Sequence, residues 1–227
     1  MNILKQTALN LFENSLAKQG TVLAVRAWYP ATFYEVDFHF PFMDMSKWDR
    51  VQHIKIKVAP GIYRDYTPAG WDSETRTCTM YIDAVQDGPG SEWVQSLKPD
   101  DYVTYVGVGS TMHKPAGQGK MVVFGDMTTI GHYLALQQLA GEKNISGAIA
   151  IAEESHRAEF MEYFHWDITP VVQTDQGGFH GITDWVRGKD LGKATVYIAG
   201  HIPTCVHLRK ELKKTSADTI RVQGFWS

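Results

Sequence analysis

Met121-Val122-Val123-Phe124-Gly125-Asp126-Met127-Thr128-Thr129 is where the chain changes its grammar. Four apolar residues in succession, with no polar alternation, read as a strand buried on both faces, and the stretch that follows opens a helix over 128–140. The unit recurs downstream: apolar runs at 148–152, 168–172 and 195–199 alternate with helix-like stretches at 154–164 and 203–214. This alternation predicts right-handed crossovers and an open, doubly wound parallel sheet.

Upstream the period is two. In 33–40, Tyr34, Val36, Phe38 and Phe40 alternate with Glu35, Asp37 and His39, the pattern of a strand with one dry face. Ile54, Ile56 and Val58 alternate with His53, Lys55 and Lys57 in the same way, and 77–84 repeats the pattern. Two further β-like runs cover 21–29 and 102–108, with Pro and Gly clusters at 59–61, 68–70 and 88–90 between the strands. Short strands at this spacing predict a small antiparallel barrel. Leu9, Phe12 and Leu16 put a short amphipathic helix at 7–18 before it. The polar, punctuated stretch His113 to Gly119 reads as a linker, so the expected division is a barrel domain over 1–115 and an α/β domain over 120–227.

The 227 residues, 44% hydrophobic and 21% charged, exclude disorder, collagen and coiled coil. A net charge of −3 provides no global basic field, so nucleic acid is not an expected partner. No apolar run reaches the ~20 residues of a membrane span, and the start carries Glu13 where a signal core would need apolar residues. A cytoplasmic protein is the expectation. Cys78 and Cys205 form no CxxC or His-rich cluster, and no metal site is expected.

Two segments carry ligand chemistry. Arg64-Asp65-Tyr66-Thr67-Pro68, read as the end of the strand bearing Lys55 and Lys57, offers a charge for phosphate, a flat ring for stacking and a hydroxyl for a ring edge. Gln86-Asp87-Gly88-Pro89-Gly90-Ser91 places a glycine turn before a helical stretch at 92–97, with Ser91 as its N-cap. Such a helix start suits a pyrophosphate. In the second half, Thr128 and Thr129 suit a phosphate or a helix cap. Glu153 and Glu154 suit ribose hydroxyls, whereas Ser155 and Arg157 suit a 2′-phosphate, so NADH and NADPH both stay possible.

In order and spacing, Arg64-Asp-Tyr66-Thr67, Gly88-Pro89-Gly90-Ser91, Pro99 with Asp101, Gly125-Asp126-Met127-Thr128, Ile198-Ala199-Gly200 and Gly224-Phe225-Trp226 resemble the siderophore-interacting proteins. These are flavin-dependent ferric-siderophore reductases of the ferredoxin-NADP reductase superfamily. The resemblance implies FAD against the outside of the barrel in the interdomain cleft. Arg64, Tyr66, Thr67 and Pro68 would lie along it, Gln86, Gly88, Gly90 and Ser91 round its diphosphate, and Thr128 and Trp226 on the far side. It implies electron flow from NAD(P)H, or a ferredoxin, through FAD to Fe(III) in a siderophore, and it puts Lys55 where a cation could attract an anionic ferric chelate. The chain departs from the family pattern at Gln86, where a histidine is common, and at Met127 and His201. Two alternatives accompany this reading: a general flavin or ferredoxin-type reductase with another acceptor, and a non-catalytic flavin- or siderophore-binding protein.

Overall fold

A computed structural model describes residues 17–46, 48–141, 145–174, 178–215, 217 and 219–227. The helix expected over 7–18 lies outside these residues except at its end, where Lys18 already belongs to a strand.

The first half is built from β1 (Lys18–Ala27), β2 (Phe33–His39), β3 (Gln52–Ala59), β4 (Ile62–Tyr66), β5 (Thr77–Asp83), α1 (Pro89–Ser96) and β6 (Tyr102–Ser110). The six strands form one antiparallel sheet in the order β4-β3-β6-β1-β2-β5. The alternation of β3 and β5 turns Ile54, Ile56, Met80 and Ile82 into a shared core with Val36, Phe38, Phe40 and Tyr105. The ends of the sheet meet: Pro68 bridges Met80 of β5, and Ala69 N donates to Thr79 O at 2.8 Å. A sheet closed on itself in this way is a barrel.

The second half comprises β7 (Lys120–Asp126), a 3-10 turn (Met127–Thr129), α2 (Ile130–Ala140), β8 (Ile145–Ile151), α3 (His156–Tyr163), β9 (Asp167–Val172), α4 (Phe179–Val186), β10 (Ala194–His201), α5 (Ile202–Leu212) and β11 (Thr219–Trp226). Its five strands are parallel, in the order β11-β10-β7-β8-β9. The interior strand β10, between β11 and β7, is buried along its whole length, as its apolar run requires. Two elements escaped the sequence reading. The edge strand β11 has only Ile220 and Val222 as aliphatic anchors, and α4 carries Gly181 and three β-branched residues within eight positions, a composition poor in helix propensity. No helix among the described residues is long and apolar enough to cross a membrane.

The halves share a core. Trp28, Phe33 and Val51 of the first pack with Tyr133, Phe160 and Phe164 of the second. This explains why Phe33 and Glu35 are buried although the alternation of β2 assigns them to a wet face: the second half covers that face. His113, beyond β6, and His132, on α2, are both fully buried and meet at 2.7 Å between Nδ1 and Nε2. Burial lowers both, His113 to about 4. At the seat of α2 the backbones touch: a Cβ on Gly131 would lie 2.8 Å from the Thr67 carbonyl oxygen. Gly131→Ala should therefore push α2 off the barrel and lower stability by about 1–3 kcal/mol, the range for overpacking. Urea unfolding followed by circular dichroism measures this, and an unchanged midpoint would show that the contact is not tight.

Candidate functional site

A cleft of about 490 Å³ opens between the barrel and the parallel sheet. Its walls bring together Arg64, Tyr66, Thr67, Gln86, Gly88, Gly90, Ser91, Thr128 and Trp226, all the expected cofactor residues except Pro68. Pro68 is buried and closes the barrel instead.

On the barrel side, β4 is a strand of its own, not the end of the strand bearing Lys55. The chain reverses at Gly61, with φ +72°, and β4 runs back antiparallel with Arg64 opposite Ile56. Arg64 and Tyr66 then fall on one face by the two-residue period. The Arg64 guanidinium is exposed, donates to Tyr63 O at 2.9 Å and makes no ion pair with the described residues. The Tyr66 ring stacks on Trp93 of α1, centroids 5.4 Å apart, and burial raises its phenol pKa.

Helix α1 starts earlier than expected. Gly88 is its N-cap and Pro89 its first residue, a position where a missing N–H costs nothing. Ser91 lies inside the first turn, where its Oγ donates to Gln86 O at 2.5 Å, so Gln86 participates through its backbone. No side chain caps the helix, and the first-turn N–H groups of Gly90 and Ser91 have no intrahelical acceptor. Gly90 also lets the Tyr66 phenol come close: a Cβ there would be 3.0 Å from its oxygen. An unpaired guanidinium beside an uncapped helix start is an anion site, and the adjoining rings provide a flat wall.

On the other side Asp126 ends β7 and organises the turn. Its Oδ1 accepts from the backbone N–H of Thr128 at 3.0 Å and from the Thr128 hydroxyl. Its Oδ2 accepts from His201 N at 2.9 Å, which ties the ends of β7 and β10 together. Gly200, with φ +103°, is required there, since a Cβ would lie 2.4 Å from Asp126 Oδ2. The His201 ring meets Trp226, centroids 4.4 Å apart. Asp126 is thus the cap of this turn, and Thr128, held by it, lines the cleft.

Sequence reasoning passed over Asp83, Thr111, Gly131 and Phe225, which also line the cleft. Asp83 was the most legible of them, a carboxylate at the end of an alternating strand just before the glycine turn. It lines both the cleft and an adjoining pocket of about 200 Å³ that contains Asp126, Gln173 and Trp226. Burial, with the charges of Asp126 and Glu153 adding to it, pushes its carboxyl up to about 7.

Several other candidates lie elsewhere. Lys55 Nζ pairs with Asp65 Oδ1 at 2.7 Å and does not line the cleft. Arg157 pairs with Glu154 at 3.2 Å, and His156 turns into the interface, its Nε2 3.2 Å from Pro30 O. Cys205 is buried and its thiol is pushed up to about 12, so it is no nucleophile at neutral pH.

No protein-family model and no curated protein matches the chain. Solved structures do share its fold. The siderophore-interacting protein from Acinetobacter baumannii is 16% identical, with 92% of this chain and 90% of that one covered at a TM-score of 0.74. The ferredoxin reductase in carbazole 1,9a-dioxygenase is 19% identical, covering 92% and 69% at 0.70. The flavohemoglobin from Malassezia yamatoensis, solved with bound FAD and heme, is 14% identical, covering 92% and 60% at 0.66. The expected fold class, an antiparallel barrel followed by a parallel α/β sheet, is the one observed, and the resemblance to siderophore-interacting proteins extends to their fold.

The raised Asp83 carboxyl has a consequence for stability. It titrates near 7 in the folded chain but near 4 when unfolded, so between those values the folded state binds more protons and stability falls as pH rises. Asp83→Asn should add about 2–4 kcal/mol at pH 8 and almost nothing at pH 4. Denaturant titrations at the two pH values check this, and an equal effect at both would refute the buried ionisation.

Proposed function

We propose that this chain is a flavin-dependent oxidoreductase of the siderophore-interacting kind, which holds FAD in the cleft and passes electrons from NAD(P)H or a ferredoxin to Fe(III) in a siderophore. The observation that carries the reading is the convergence of Arg64, Tyr66, Gly90 and the uncapped start of α1 on one wall of a cleft. A dinucleotide flavin needs a cation and free N–H groups for its diphosphate, a close backbone approach and an aromatic wall for its ring system. All of these are present, and the volume lies in the range of small-molecule sites.

In this reading Arg64 and the N–H groups of Gly90 and Ser91 hold the diphosphate, and Tyr66 and Thr67 position the ring system from the barrel side. Thr128 and Trp226 limit water access from the other side. When bound, FAD supplies the conversion between a two-electron hydride donor and one-electron acceptors. Reduction would release the metal because the hard oxygen ligands that bind Fe(III) hold Fe(II) weakly.

One observation favours a second reading, a flavin or ferredoxin-type reductase with another acceptor. Lys55, the expected attraction for a ferric chelate, does not line the cleft and is paired with Asp65.

The purified protein should be yellow, lose flavin absorbance on anaerobic addition of NADH, NADPH or reduced ferredoxin, and recover it with a ferric chelate. Recovery with free flavin or ferredoxin, but not with chelates, selects the second reading, and failure to bind FAD refutes both. Arg64→Ala should weaken FAD binding about 10–100-fold, as expected for loss of a charge-assisted contact. Fluorescence titration of the apoprotein measures it.

A further inference from the structure

We infer that Asp83 is the proton-holding residue of the cleft: its carboxyl takes up one proton when two electrons arrive on the bound flavin and gives it back when they leave. The inference rests on the flavin reading above.

Geometry singles Asp83 out. It is the last residue of β5, paired with Phe33 across the barrel edge, and it stands where the main cleft meets the smaller pocket at the carboxyl ends of the parallel strands. Its Oδ1 accepts from Val85 N at 3.1 Å, and among the described residues its Oδ2 accepts no hydrogen bond and no lysine or arginine pairs with it. The groups acting on it from the second half are also acidic: Asp126, at the end of β7, and Glu153, beyond β8. Besides Asp83, the charged or titratable side chains along the main cleft are His53, Arg64, Asp65 and Asp87 and the phenols of Tyr63, Tyr66 and Tyr81. Asp126 is itself occupied, with both its oxygens accepting hydrogen bonds, so Asp83 is the carboxyl with capacity to spare.

The charge balance gives Asp83 its role. A hydride donor loses two electrons and one proton, so its transfer adds one net negative charge to the cleft. That charge would arrive at the end of the cleft where Asp83 and Asp126 lie, and among the described residues no lysine or arginine pairs with Asp83 there. Asp83 is already poised near neutrality, at about 7, and a further negative charge raises its proton affinity. It therefore takes a proton from solvent through the cleft. The donor is oxidised by two electrons, the flavin is reduced by two, the hydride's hydrogen stays with the flavin and the second proton rests on Asp83. As electrons leave to one-electron acceptors, both protons return to water.

The test is a spectroelectrochemical titration of the FAD-loaded full chain from pH 6 to 9, wild type against Asp83→Asn, which keeps the shape and cannot titrate. Between the pH at which Asp83 protonates in the oxidised protein and that in the reduced one, the wild-type midpoint should fall with pH about twice as steeply as the variant's, two protons per electron pair against one. Coincident slopes overturn the inference. Should Asp83→Asn not fold, Asp126→Asn removes a repelling charge and should move the wild-type break to lower pH while keeping the slope; an unmoved break counts against it. Infrared spectra of the flavin-free chain separate this from failure of the flavin reading. A protonated-carboxyl band at pH 6 that is absent from Asp83→Asn supports the poised carboxyl even in a protein that binds no FAD. Its absence from the wild type overturns the inference whether or not flavin binds.

Discussion

The carbonyl of Thr67 lies so close to Gly131 that the two halves of the molecule can meet there only because residue 131 has no side chain. Most of the cleft depends on that contact. Within seven residues, Arg64 to Gly70, the chain presents a guanidinium to the cleft, stacks Tyr66 on α1, seats α2 against Thr67 and closes the barrel at Pro68 and Ala69. The carbonyl of residue 67 thus fixes the approach of the second domain, and the side chains on either side of it form the wall that approach creates. A change in this segment acts at once on barrel closure, domain seating and the site.

The cleft is also polarised. At one end are Arg64 and the uncapped start of α1, both favourable to anions; at the other are Asp83 and Asp126, both pushed toward their neutral forms by burial. A ligand with a charged tail and an uncharged ring can enter such a field in only one sense, with the tail toward α1 and the ring toward the carboxyls. The net charge of −3 says nothing about this, because the field is local.

The sequence made the fold legible wherever periodicity followed burial. The uninterrupted apolar runs became β7, β8, β9 and β10, and the alternation in 53–58 became the inward face of β3. It failed where burial came from the other half: Phe33 and Glu35 have the wrong parity for β2 and are buried by tertiary contact. The separate strand β4 was missed although Pro60 and Gly61 mark the reversal, because its five residues, Ile62–Tyr66, carry no alternating apolar pattern. The cleft residues of the RxYT and GPGS segments could be read because each is a local backbone requirement. Asp83 and Gly131 could not, because their meaning depends on what lies opposite them across the interface.

Linked domains commonly move against each other when their interface is small and polar. Here the two halves share an apolar cluster. Trp28 packs among His156, Tyr163 and Phe164, and Tyr81 meets Phe164 at 5.3 Å. Directional bonds pin the rim: Tyr163 donates to Glu35 at 2.5 Å, and Gln138 Oε1 accepts from Trp48 Nε1 and Trp71 N. The buried His113–His132 pair adds a further constraint, since separating the domains would wet a pair whose geometry depends on both being in place. An interface held by aromatic packing at its centre and oriented bonds at its edge resists hinge opening, so the cleft is preformed. On the proposed flavin reading, electron donor and acceptor would reach the same ring system from the cleft's open side, in turn rather than together. A site used in turn would have to carry its charge between visits, which is the demand that the proposal for the carboxyl of Asp83 answers.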